Sequence, residues 1–195
     1  FINLNSIKFK AYDGSINELF WMNWKNKAIY KSLRLSFKEL FRYYKIKKSF
    51  KKFFNKNNFE SKYIGNKKKY LSVNEIIKDL KFKNIFLKID IEGSEYEILN
   101  DLIKFQRNMV GLAIEFHKCD KMLNKIIEFN NKLDLEIVHI HGNNYDSISK
   151  YGIPKTLEIT FSKLPKPIDQ NPEIPHFLDA PNKHNKKELK LEFGS

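Results

Sequence analysis

The sequence predicts an α/β domain built around a largely parallel sheet. Two apolar runs, residues 85–91 (IFLKIDI) and 109–116 (MVGLAIEF), read as strands covered on both faces. Segments of helical period alternate with the strands. Polar side chains crowd onto the strand ends, where open sheets of this class bind ligands.

The elements follow in chain order. Residues 7–12 (IKFKAY) alternate as a strand does, and Asp13-Gly14 supplies a turn. Residues 16–54 take a helical period. Ile29, Leu33, Phe37, Leu40, Phe41 and Tyr44 fall on one stripe, with Trp21 and Trp24 just upstream. That stripe is expected to pack on the rest of the domain. Residues 59–64 form a short strand closed by Gly65-Asn66. Ser72 with Glu75 makes a capping box for a helix reaching Leu80. After the strand 85–91, Ser94 with Glu97 makes a second capping box, and Tyr96, Leu99, Leu102 and Ile103 supply a buried stripe. Residues 109–116 and 135–140 are strands flanking a helix at 122–133, and 156–161 is the last strand. Beyond Leu164 come Pro165, Pro167, Pro172, Pro175 and Pro181, so residues 164–195 read as an extended tail wrapping the domain.

A chain of 195 residues is long enough for one domain, 1–195, with a real core. The net charge of +13 is unevenly placed: residues 25–69 carry 16 Lys and Arg against Glu39 and Glu60. This basic helical segment, 17–58, is expected to be peripheral. Its charge suits an anionic surface, and peripheral contact with an anionic membrane is the candidate partner. No nucleic-acid partner is expected. Cys119 is the only cysteine, so no internal disulfide can form, which fits the cytoplasm. No apolar run is long enough to span a membrane.

The candidate site residues lie at four strand ends. Asp13 follows the first strand, Asp90 and Glu92 the central one, Glu115 and His117 the next, and His139, His141, Asn143 and Asn144 the one after. Together they are expected to line one pocket mouth. A helix starting at Ser94 would aim free N–H groups at an anionic ligand group there. Asp90 and Glu92 also have a helix-capping reading, Glu115 and His117 that of a local charge pair, and Asn143-Asn144 that of a turn. The histidines lack tight ligand spacing of the HExxH kind, so no metal is expected.

"LKIDIEGSEYEIL" resembles the signature of FkbM-type methyltransferases. "GLAIEFH", "HIHGNNY" and "GIPKTLEITF" resemble the segments that follow it in that family, and "FLDAPNKHNKKELKLEF" resembles the end of its bacterial members. The resemblance covers about residues 69–193. It implies a Rossmann-like methyltransferase fold, S-adenosylmethionine as cofactor, and a small-molecule or saccharide hydroxyl as acceptor. It makes Asp13 the acid that holds the cofactor ribose, with Gly93 and Ser94 beside the cofactor. Asp90, Glu92 and His117 are the candidate catalytic groups, Asp90 first. Glu115, His139, His141, Asn143 and Asn144 would then meet the acceptor.

The family's glycine-rich cofactor loop ends the first strand of its sheet. None of the seven glycines of this chain precedes Asp13. The sequence is therefore expected to be an N-terminally shortened member that lacks that strand, with the basic helical segment as an insertion. The alternative is a non-catalytic relative that binds anionic lipid or polymer.

Overall fold

The computed structural model describes residues 7–34, 37–80, 84–165 and 174–191, the Arg34 side chain excepted. It forms two compact units, Phe1–Leu71 and Ser72–Ser195.

In the first unit, β1 (Ala11–Tyr12) pairs in parallel with β2 (Phe59–Glu60). Both are shorter than the alternating sequence suggested. Between them the helical region divides into α1 (Glu18–Arg34) and α2 (Lys38–Phe53). Asn17 caps α1 by accepting the Phe20 N–H at 2.9 Å. The expected stripe does not drive the packing. Leu33, Phe37 and Phe41 are 81%, 77% and 74% exposed, whereas Ala28 and Tyr43 are buried. The rings of Trp21 and Trp24 instead close on Tyr43, and Trp21 also meets Phe50 at 5.2 Å. Large aromatic faces bury more apolar area than the Leu/Phe stripe and so choose the inner side.

The second unit opens with α3 (Val73–Leu80), held by the expected capping box. Ser72 N–H and Oγ–H donate to Glu75 Oε2 at 2.9 and 2.6 Å, and Glu75 N–H donates back to Ser72 Oγ at 3.3 Å. Then come β3 (Ile85–Ile89), α4 (Glu95–Phe105), β4 (Met109–His117), α5 (Cys119–Lys132), β5 (Glu136–Gly142) and β6 (Thr156–Ser162). They build one sheet in the order β3-β4-β6-β5.

Two expectations need correction. The sheet is mixed: β3 and β4 are parallel, but β6 runs antiparallel to both β4 and β5. No helix separates β5 from β6, so the chain has no crossover with which to return in parallel. And β3 lies at a sheet edge among the described residues: it pairs only with β4, and its Phe86 is 59% exposed. The Phe86 ring lies across Gly111, where a Cβ would come within 2.7 Å of it.

One sheet face carries the core. Leu112, Ile114 and Phe116 of β4 are buried with Ile159 and Phe161 of β6, and Phe129 of α5 stacks edge-on to Phe161 at 5.9 Å. α4 adds Ile98, Leu99 and Leu102. The alternating side chains are polar along β6, at Glu158, Thr160 and Ser162, and at the end of β4, at Glu115 and His117. Register sets Glu115 opposite Glu158, and Glu158 opposite His141.

The described part of the tail, 174–191, contacts β5 and the turn after it. Pro167, Pro172 and the last residues of the expected tail lie outside the described residues. Asn144 is the clamp. Its Nδ2 donates to the Lys183 and Lys186 carbonyls at 3.2 and 3.1 Å, and its Oδ1 accepts the Lys183 N–H at 2.8 Å. Asn144→Ala should lower stability by about 2 kcal/mol, since three part-buried hydrogen bonds to the tail backbone are lost together. Hydrogen exchange should rise at residues 183–187, and unchanged protection there would contradict the clamp.

Candidate active site

The turn after β3 sets the site. Glu92 and Gly93 both adopt positive φ, 54° and 99°. A Cβ at Gly93 would meet no atom within 4 Å, so the backbone conformation, not space, calls for glycine. The turn delivers Glu95 to the first residue of α4, fully buried. Glu95 Oε1 accepts the N–H groups of Ile91 and Gly93 at 3.1 and 3.0 Å. The same oxygen lies 3.1 Å from His117 Nδ1. A carboxylate only accepts, so Nδ1 carries the proton and donates.

That bond fixes the ring and turns Nε2 towards the carboxylates. Nε2 lies 3.6 Å from Glu92 Oε2 and 3.7 Å from Glu115 Oε1. Glu115 is itself held by Asn143, whose Nδ2 donates to Oε1 at 3.0 Å. The Tyr96 hydroxyl donates to the His117 carbonyl at 2.6 Å and fixes the end of β4. Asp90, Glu115 and His117 each place one donor atom within 4.8 Å of the others'.

The charges shape one another. The hydrogen bond to Glu95 raises the His117 pKa, against burial, with Glu115 and Glu92 adding to the rise. Burial raises the Glu115 carboxyl, and the nearby Asp90 and Glu158 charges raise it further. Burial also pushes Glu95 up. The hydrogen bonds from His117 and the Gly93 N–H outweigh it, so Glu95 ends below the ordinary carboxylate range.

The expected residues thus divide. Asp90, Glu92, Glu115, His117 and Asn143 come together. His139, His141 and Asn144 do not join them, because the tail engages them. His139 Nε2 pairs with Asp179 Oδ1 at 2.9 Å, and His141 Nε2 lies 3.3 Å from Glu188 Oε2. Asp13 belongs to the first unit, and its Oδ1 accepts the Ser15 N–H and Oγ–H at 2.8 and 2.6 Å.

The N–H groups ahead of the helix are already taken. Glu95 already occupies the Gly93 N–H, and the Ser94 N–H donates to the Ile91 carbonyl at 3.3 Å. Ser94 makes no side-chain cap, so the second capping box does not form. Glu95 itself was missed by sequence reasoning. The available signal was an acid at the first helical position directly after a glycine turn.

Carboxylates and an oriented histidine gathered at the strand ends of an α/β sheet stand where sheets of this class bind ligands. Residues 39–146 match the family model of the methyltransferase FkbM domain. The match takes in more than half of the chain, and the chain belongs to this methyltransferase family. It spans the strand-end residues Asp90 to Asn144 and leaves Asp13 and the tail outside. No curated protein and no solved structure gives a significant match. Among the described residues, no helix is long and apolar enough to cross a membrane.

Proposed function

We propose that the protein is an S-adenosylmethionine-dependent O-methyltransferase acting in the cytoplasm on a sugar or natural-product hydroxyl. Family membership gives the methyl-transfer class, and the observation that carries the site is the convergence of Asp90, Glu92 and Glu115 on His117. When bound, S-adenosylmethionine supplies an electrophilic methyl group on a cationic sulfur.

The residues fit that cofactor in part. Carboxylates accept from sugar hydroxyls and favour a nearby cation. Close backbone approach to the amino-acid end needs a glycine-rich turn, because a Cβ would block it. Gly93 does not provide one, as its N–H is held by Glu95. We infer that residues 1–195, for want of such a turn beside Asp90–His117, hold the cofactor weakly.

The chain's own residues do the rest. Glu95 orients His117, Asn143 positions Glu115, and a carboxylate at the mouth, Asp90 or Glu92, takes the acceptor proton as the oxygen attacks. Glu95 is buried and Glu115 half-buried, which limits the access of bulk water to that side of the acceptor.

Calorimetry with S-adenosylmethionine tests the reading. An upstream-extended protein should bind at least 100-fold more tightly than residues 1–195, a difference of about 2.7 kcal/mol or two to three hydrogen bonds. Asp13→Ala should then weaken the extended protein about 10-fold, the loss of one such bond. Tight binding by residues 1–195 would refute the inferred weakness. No binding by either form would refute the cofactor.

Exposure of Leu33, Phe37 and Phe41 among lysines favours a second reading of the first unit, contact with an anionic membrane. Vesicle binding should require anionic lipid and fall with salt. Equal binding to neutral vesicles would refute it.

A further inference from the structure

We propose that Asp90, Glu115 and His117 form a divalent transition-metal site, contrary to the expectation from sequence. The three donors come from adjacent parallel strands and lie within 4.8 Å of one another. Donors bonded at about 2.1 Å to one ion lie about 3 to 4.2 Å apart, so His117 Nε2 and Glu115 Oε1, at 3.7 Å, already stand in range, and a pair at the outer limit closes by about 0.6 to 1.8 Å. Asp90, exposed and at the strand end, is free to make that adjustment.

The surroundings have the form that metal ligands require. A ligating histidine usually donates its other ring N–H to a carboxylate, and His117 Nδ1 does so to buried Glu95. A ligating carboxylate is usually held by a further hydrogen bond, and Asn143 holds Glu115.

The charge balance points the same way. Glu92, Glu95 and Glu115 lie within 4 Å of the one imidazole, and Asp90 joins the cluster. Among the described residues no lysine or arginine pairs with any of the four, in a chain of net charge +13. Glu95 Oε2 is buried with no hydrogen-bond partner. Buried Glu95 and half-buried Glu115 share the one imidazole with Asp90 and Glu92, and a dipositive ion beside them offsets the cost of gathering four carboxylates around it.

The donor set selects the ion. One imidazole and two carboxylates suit Mn2+, Fe2+ or Zn2+ better than Mg2+ or Ca2+, which prefer oxygen alone. Cys119 is not among the donors, since it is fully buried and its Sγ–H donates to the Phe116 carbonyl.

The ion's role rests on the proposed methyl transfer, whereas its binding does not. A hydroxyl coordinated to the ion is acidified and aligned. Asp90 is then a ligand, and Glu92, 3.6 Å from His117 Nε2 and largely exposed, is the carboxylate left to take the proton.

Electron paramagnetic resonance with Mn2+ alone, on residues 1–195 without cofactor, tests the site. The free-ion signal should fall with one-to-one stoichiometry. His117→Asn should abolish that binding, Asp90→Asn should weaken it at least 10-fold, and Glu95→Gln should weaken it about 10-fold. Asp90 is exposed, so its variant folds and keeps the test sound if His117→Asn does not. Absence of binding, or equal binding by the wild type and Asp90→Asn, overturns the site. Neither result bears on S-adenosylmethionine binding, which calorimetry measures separately.

Discussion

Glu95→Ala is expected to destabilise the protein by about 3 kcal/mol, the range for removing one partner of a buried pair. The substitution removes the acceptor for the Ile91 and Gly93 N–H groups. It also leaves His117 Nδ1 without its partner in a half-buried position. Three donors lose one oxygen at once, so the cost exceeds that of a single hydrogen bond. The turn suffers too, because Glu92 holds a positive φ that a non-glycine residue adopts at a cost. With the Glu95 bridge gone, little opposes its relaxation. Glu95→Gln retains a carbonyl acceptor for the N–H groups and should cost only about 1 kcal/mol. Urea unfolding followed by circular dichroism measures both. Equal and small losses would show that Glu95 does not hold the turn.

Glu95 also marks how far the sequence could be read. Strand 109–116 was legible because its length and composition leave no other choice, and β4 spans Met109–His117. The Ser72–Glu75 box was legible because both partners are local. In "GSEYE" two acids compete to turn back on the helix start, and Glu95 wins through His117 on β4, 22 residues away. Local pattern holds no trace of that partner.

The strand ends show the same division. Asp90, Glu115 and His117 were found because parallel neighbours end on one side of a sheet. His139, His141 and Asn144 looked equivalent. Their engagement by Asp179, Glu188 and Lys183 depends on a proline-rich tail with no periodicity to place it. The reversed direction of β6 was readable in principle, since "HGNNYDSISKYGIPK" holds no helical period that could serve as a crossover. Apolar content alone misled in the first unit. The stripe through Leu33, Phe37 and Phe41 has the right spacing for burial, yet Trp21, Trp24 and Tyr43 offer more area to the partner helix.

That contrast yields the other large effect. Phe116→Ala should cost about 4 kcal/mol, the range for emptying a fully buried phenylalanine site. Phe116 is 0% exposed and lies between Tyr96 at 5.7 Å and Phe129 at 6.3 Å. The cavity cannot collapse easily, because β4 is hydrogen-bonded on both sides and cannot shift inwards. The damage reaches the site, since Tyr96 anchors the His117 carbonyl and would lose the ring it leans on. Phe41→Ala removes the same ring from a position 74% exposed and should change stability by no more than about 0.5 kcal/mol. If the two substitutions cost the same in urea unfolding, the stripe of the first unit is buried in solution, and the exposure on which the membrane reading rests is wrong.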